Sequence, residues 1–278
     1  MPHRPAALAP LLALFAAVAL LGCATDPAPT SHTLTPPADT ALAPRPTADE
    51  PLSVTLDADR AIDFVLLGHS VQNRPITMYR FGTAGPSLLI FGGIHGDEPT
   101  SETLARDLVH HLHQHPHLYA DRRIAVLPAA NPDGLLAGTR TNVNAVDCNR
   151  NFPTDNWHLH PSRPNRYGSA PASEPETRAI LAAVELTQPV RIISIHSTGS
   201  FPKCNNYDGP ATALAQAMAE HNGYPVEADL GYATPGSFGT WAGDERQIPT
   251  ITLELDRDDS AQTAWKENRE ALIAFIEY

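Results

Sequence analysis

Four short apolar runs, each ending abruptly in chemically capable polar residues, constrain this chain more than any other feature. Ser87–Phe91 reads Ser-Leu-Leu-Ile-Phe and leads into Ile94-His95-Gly96-Asp97-Glu98. Arg123–Leu127 leads into Asn131-Pro132-Asp133-Gly134, residues 190–195 stop at His196, and residues 250–253 stop at Glu254. Runs of this length, rich in β-branched and aliphatic residues, predict buried strands. Between them lie segments with helical spacing: residues 100–113, 173–186, 211–221 and 261–275. The second of these opens on Ser173-Glu174-Pro175-Glu176, which offers an N-cap serine and a Glu three residues on. Strands alternating with helices predict an α/β fold, three layers in α/β/α order, with a central mixed, mostly parallel sheet. In such sheets ligands bind beyond the carboxyl ends of the strands, so four polar strand ends predict one shared site.

The folded region is expected over residues 52–278. Ahead of it, residues 1–5 carry one arginine, Arg4, and residues 6–21 form an apolar run rich in Ala and Leu. That run is short for a membrane span, which takes about 20 residues, and suits a signal peptide. It ends in Leu20-Leu21-Gly22-Cys23, similar to the lipobox of bacterial lipoproteins. The expectation is cleavage after residue 22 and lipidation of Cys23, so that the membrane is met by a lipid anchor only. Ala24 follows the cysteine, with no aspartate there to suggest inner-membrane retention. The expected location is the periplasm, anchored at the outer membrane. Residues 23–51, rich in Pro, Thr and Ala, read as an extended tether. A formal net charge of −12 argues against nucleic acid, which needs a basic face. Cys148 and Cys204 either pair in an oxidising compartment or remain two buried thiols, and both readings stay open.

His95 and Glu98 stand three residues apart on a Gly-containing turn that leaves a buried strand. That spacing lets an imidazole and a carboxylate converge on one ion, and His196 at another strand end is the natural third donor. Two histidines and one glutamate leave a fourth coordination position open, the arrangement of a catalytic zinc. His-x-x-Glu alone is a weak motif. Joined to His196 and to the segment around Asn149 and Arg150, the set is strong.

The stretches GGIHGDEPTSE, NPDG, VDCNRNFP, SEPET, SIHS, GYATPGSFGTW and ITLELD occur in that order from Gly92 to Asp256. In them the chain resembles the M14 metallocarboxypeptidases. The IHGDE variant, NRNFP with Trp157 soon after, and the segment from Tyr232 to Gly239 resemble the branch of bacterial murein peptide amidases. The resemblance implies one Zn2+ held by His95, Glu98 and His196. It gives Asn149 and Arg150 as the grip on a substrate's free carboxylate, a role that suits the planar fork of arginine. It also implies Arg140 as the oxyanion donor, Glu254 as the general base and Tyr232 as a mobile residue over the substrate. Cys148 departs from the family, which has a hydrophobic residue there. The activity implied is hydrolysis of an amide bond beside a free carboxylate, between γ-D-glutamate and meso-diaminopimelate of murein peptides.

Other functions compete with this one. A general metallocarboxypeptidase would remove C-terminal residues from ordinary peptides, and residues 236–240 do not decide the side-chain preference. A non-catalytic wall-binding lipoprotein is opposed by the retained His95, Glu98, His196 and Glu254. An acylamino-acid deacylase is opposed by the NRNFP stretch and the export signal. Asp97 and Asp133 flank the site, as turn formers or as partners of a ligand histidine. Arg163 and Arg166 read as surface residues or as contacts for an acidic substrate. Tyr207 and Asp208 are candidates for the side-chain pocket. The five histidines from His110 to His117 read as a solvated helix end rather than a second metal site.

Overall fold

The computed structural model describes residues 62–160, 162–200 and 202–278. The signal segment, Cys23, the tether and the boundary at residue 52 lie outside the described residues.

Eight strands form one sheet: β1 Ile62–His69, β2 Pro75–Phe81, β3 Ser87–Phe91, β4 Arg123–Leu127, β5 Arg191–Thr198, β6 Cys204–Asp208, β7 Val226–Glu227 and β8 Thr250–Asp256. Their order is β1-β2-β4-β3-β5-β8-β6-β7. The central strands β4, β3, β5 and β8 run parallel, whereas β1, β2 and β6 join by antiparallel pairing. The sheet is therefore mixed and mostly parallel at its centre, as expected, and the parallel centre follows from the strand–helix alternation.

Period-two alternation assigns each central side chain to one of two cores. Leu88 and Ile90 of β3, Ile124 and Val126 of β4, and Ile193 and Ile195 of β5 face one core. It is closed by the helices α1 (Pro99–Gln114), α4 (Thr212–Asn222) and α5 (Ala261–Glu277), through Leu104, Leu108, Met218 and Phe275. Leu89, Phe91, Ala125 and Ile192 face the other core, which is closed by α3 (Pro175–Thr187) through Ile180 and Ala183 and by Phe152 and Phe238. A sheet buried on both faces explains why β3 and β4 read as unbroken apolar runs.

Three expectations are corrected. Helix α3 is capped at Glu174, not Ser173; the Ser173 hydroxyl instead donates to Glu174 Oε1 at 2.7 Å. The Glu174 carboxylate also accepts bonds from Asn142 and Asn144. Strands β5 and β8 run on past the apolar stretches, so His196 and Glu254 lie inside strands rather than after them. Asn131 belongs to the frame and not to the site. Its Oδ1 caps α2 (Pro132–Ala137) by accepting from Gly134 N at 2.9 Å, and its Nδ2 donates to Ile94 O at 3.3 Å. This clamps the turn bearing His95. Gly96 packs so tightly on the backbone of Gly134 that a Cβ has no room there. Cys148 and Cys204 are both free and buried, which removes the disulfide alternative. No helix among the described residues is long and apolar enough to cross a membrane.

Candidate metal centre and its cavity

The turn after β3 brings His95 and Glu98 together, and β5 delivers His196 beside them. His95 Nδ1 lies 2.8 Å from Glu98 Oε1 and 3.2 Å from His196 Nδ1, and His196 Nδ1 lies 3.1 Å from Glu98 Oε2. All three side chains are buried, and their ligand atoms fall within 4.8 Å of one another. Among the described residues no other trio of His, Cys, Asp or Glu converges in this way; near the end of α1, His111 stacks on His115 and meets Trp265 at a tilt instead.

The second nitrogen of each imidazole is also occupied. His95 Nε2 donates to Asp147 Oδ1 at 3.0 Å, and His196 Nε2 lies 3.0 Å from Ser194 Oγ. With the outer nitrogens so engaged, both Nδ1 lone pairs turn toward the shared centre. Burial works to lower the pKa of His95, but the carboxylates of Glu98 and Asp147 outweigh it and raise it to about 9. Burial works equally against ionised Glu98, yet the two imidazoles hold its carboxyl well below the usual range. A buried site that draws positive charge this strongly, with two nitrogen donors and one carboxylate, fits zinc.

Asp147 is the residue that sequence reasoning misses. Asp97 and Asp133, read as turn formers or as partners of a ligand histidine, do not contact His95 or His196 in the hydrogen bonds of the described residues. Asp133 holds Ser70 Oγ, Gln72 N and Arg74 at the β1–β2 turn, and Asp97 pairs with Arg257 at 3.2 Å. The only signal for Asp147 is its place two residues before Asn149. Its carboxylate also accepts from Arg140 Nε at 2.9 Å. Replacing Asp147 with asparagine is expected to weaken metal affinity by about 10–100-fold. Competition with a chromophoric chelator measures this, and unchanged affinity would mean that Asp147 does not orient His95.

One cavity of about 500 Å3 opens over His95, Glu98 and His196, and Arg140, Asn149, Arg150, Tyr232 and Glu254 line it. Arg140 donates from Nη1 to Glu98 Oε1 at 3.2 Å, so its guanidinium lies beside the three converging side chains. Two of its five N–H donors are used in these bonds, which leaves others for the cavity. Asn149 and Arg150 occupy the short turn Cys148–Arg150, with Asn149 Oδ1 accepting from Phe238 N at 2.8 Å. Glu254 stands next to His196 in the β5–β8 register and is 6% exposed. Burial pushes its carboxyl pKa up, with His196 opposing. Tyr232 is half exposed at the rim and hydrogen-bonded to Arg150.

Asp208 and Arg257 line the same cavity, on opposite sides of Glu254 along β8. Tyr207 does not line it, and packs on the α1–α4–α5 core instead. Arg163 and Arg166 line a separate cavity of about 470 Å3, with Arg166 Nη2 lying 3.8 Å from Asp147 Oδ2.

The sequence matches the zinc carboxypeptidase family model, Peptidase_M14, over residues 56–271. It is 34% identical over 229 residues to murein peptide amidase A of Vibrio campbellii, covering 76% of this chain and 86% of the relative. Murein peptide amidase A of Escherichia coli K12 is 34% identical over 212 residues, covering 72% and 84%. Among solved structures, the murein-tripeptide amidase of Escherichia coli O157 superposes with a TM-score of 0.64 at 28% identity, over 77% of this chain and 92% of that one. Bovine thrombin-activatable fibrinolysis inhibitor, at 19% identity, shares the fold with a TM-score of 0.67 over 78% of this chain and 88% of its own. The chain belongs to the zinc carboxypeptidase family.

Proposed function

We propose that the chain hydrolyses the amide bond between γ-D-glutamate and meso-diaminopimelate in murein peptides, using one zinc ion held by His95, Glu98 and His196. One observation carries the reading: a carboxylate grip, a buried carboxylate base and the three-ligand centre line a single cavity. The names of the relatives supply the substrate class.

Bound at this centre, zinc supplies Lewis acidity toward the scissile carbonyl and the attacking water. Arg150 and Asn149 hold the free carboxylate of the leaving residue, which fixes the scissile bond over the ligands. Glu254 takes a proton from water as the oxygen attacks the carbonyl carbon, then returns it to the amine nitrogen as the C–N bond breaks. Its raised pKa suits it to hold that proton between the two steps. Arg140 donates to the oxyanion, an interaction typically worth about 3 kcal/mol per donor.

The depth of the cavity supports a leaving residue with a long side chain that carries an ammonium at its far end, as diaminopimelate does beside its second carboxylate. In the β6–β8 register Cys204 faces Glu254, Asn206 faces Thr252 and Asp208 faces Thr250. Glu254, Thr252, Asn206 and Asp208 all line the cavity, so a polar slot runs from the base down to Asp208. Four residues of strand place Asp208 about 13 Å beyond that level. Gly239 and Gly243 leave the space its side chain occupies. Burial, with Asp244 nearby, pushes the Asp208 carboxyl up to about 7. Below that pH it is protonated and attracts an ammonium weakly, and above it the charge is present. The KM for a substrate ending in diaminopimelate is therefore expected to fall as pH rises through that value. In Asp208→Asn that pH dependence is expected to vanish, with KM raised about 10–100-fold, the worth of a hydrogen-bonded charge pair. Identical KM profiles for the two proteins would remove Asp208 from recognition.

The direct experiment incubates the protein with L-Ala-γ-D-Glu-meso-diaminopimelate and with ordinary α-linked peptides, each with and without chelator. Chelator-sensitive release of free diaminopimelate is the expected result. Cleavage of α-linked peptides alone would contradict it and favour a general carboxypeptidase. The proposal extends to location: the apolar segment 6–21 and Cys23 support a lipid-anchored periplasmic enzyme at the outer membrane.

A further inference from the structure

Along β8 the lining of the cavity falls into two walls, one on each side of Glu254: Asp208 pairs with Thr250, and Arg257 follows Asp256. The first joins Asn149, through its bond from Phe238 N, to Ser237, Gly239 and Asp208. It receives the free carboxylate and side chain of the leaving residue. The second wall is the end of β5 and β8. There Ser197 N donates to Glu98 Oε2 at 3.0 Å, Ser200 N to Thr198 Oγ1 at 3.1 Å, and Arg257 N to Thr198 O at 3.0 Å. Since the leaving residue occupies the first wall, the acyl portion of the substrate crosses the centre and lies along the second.

On that second wall we propose that Arg257 is a specificity-determining residue, which binds a free carboxylate carried by the substrate on the acyl side of the scissile bond. Its backbone is tied to β5, and its guanidinium is steadied by Asp97, with Nη2 lying 3.2 Å from Oδ2. The other oxygen of Asp97 is buried and takes no hydrogen bond among the described residues, so Arg257 is the donor this carboxylate holds. The Arg257 side chain is 43% exposed and lines the cavity, which leaves donors of its fork open to a ligand.

The chemistry of the proposed substrate supplies the matching anion. In a γ-linked glutamyl residue the scissile carbonyl is the side-chain carboxyl, so the α-carboxylate stays free, separated from it by the rest of the side chain. An α-linked peptide presents a neutral main chain instead. Arg257 is therefore a reader of the γ linkage, a role that rests on the amidase reading.

The test compares two tripeptides, L-Ala-γ-D-Glu-meso-diaminopimelate and the same peptide with the glutamyl α-carboxylate amidated. Wild type is expected to prefer the carboxylate by about 10–100-fold in kcat/KM. In Arg257→Gln the two peptides are expected to converge, and Arg257→Lys, which keeps the charge without the fork, to retain part of the preference. Equal rates on the two peptides in wild type, or a preference that survives Arg257→Gln, would overturn the role. Equal wild-type rates overturn the role even where a variant fails to fold, and Arg257→Lys, the milder change, assigns a wild-type preference to Arg257 where Arg257→Gln does not fold. Hydrolysis of α-linked peptides with neither tripeptide cleaved would overturn the amidase reading, whereas equal cleavage of both tripeptides would overturn only the role of Arg257.

Discussion

Glu254→Gln is expected to lower kcat by about 10²–10⁴-fold while the zinc content stays at one per chain. Glutamine keeps the size and most of the polarity of the side chain, so the wall of β8 beside His196 is preserved. What it loses is a basic oxygen able to take a proton from water and return it to the amine. Glu254 is not one of the three converging donors, although it stands beside His196 in the β5–β8 register. Metal retention and loss of turnover should therefore separate cleanly, with KM little changed because Asn149, Arg150 and Asp208 still hold the substrate. Steady-state kinetics alongside metal analysis decide the matter. A variant with wild-type kcat would remove Glu254 from proton transfer, and one that lost its zinc would make it a ligand.

His196→Ala is expected to fold yet lose both metal and activity. The substitution removes one of three donors and leaves the Glu98 carboxylate with His95, Arg140 and Ser197 N as its partners. The loss of metal affinity should exceed the about 10–100-fold expected of Asp147→Asn, because a ligand is removed rather than its support. Thermal unfolding reads this independently of turnover. Free zinc at about 100 times its dissociation constant stabilises a binding protein by about 2.7 kcal/mol. Wild type stripped of metal should gain in Tm when zinc is added, and the variant should gain nothing at the same concentration. A full Tm response in His196→Ala would show that the ion is held elsewhere.

How much of this is legible in the sequence depends on where each residue's partners lie. β3 and β4 are readable to the residue, because strands buried on both faces leave unbroken apolar runs. β6, Cys-Asn-Asn-Tyr-Asp, escapes sequence reading, because Asn206 and Asp208 face the cavity and give the strand a polar composition. The hairpin of β1 and β2 escapes it because its faces mix buried, half-buried and exposed positions. β5 and β8 read too short for a related reason: their last residues serve the site, and His196, Thr198 and Glu254 interrupt the hydrophobic pattern while the ladder continues. His95 and Glu98 are legible because their spacing is local. Asp147 is not, since its place two residues before Asn149 does not say that its carboxylate meets an imidazole 52 residues away. Asn131 reads toward the site because it follows a strand, yet its side chain is consumed in clamping the turn beneath His95. Arg257 follows Glu254 so closely that in sequence it passes as a strand-end charge, and only the fold places its guanidinium in the cavity.

A zinc titration of chelator-stripped protein tests the central claim most directly. With L-Ala-γ-D-Glu-meso-diaminopimelate as substrate, activity should be absent in the stripped protein, rise linearly with added zinc and reach its plateau at one equivalent per chain. Full hydrolysis by protein shown to be free of metal would contradict the claim that His95, Glu98 and His196 build the reacting centre.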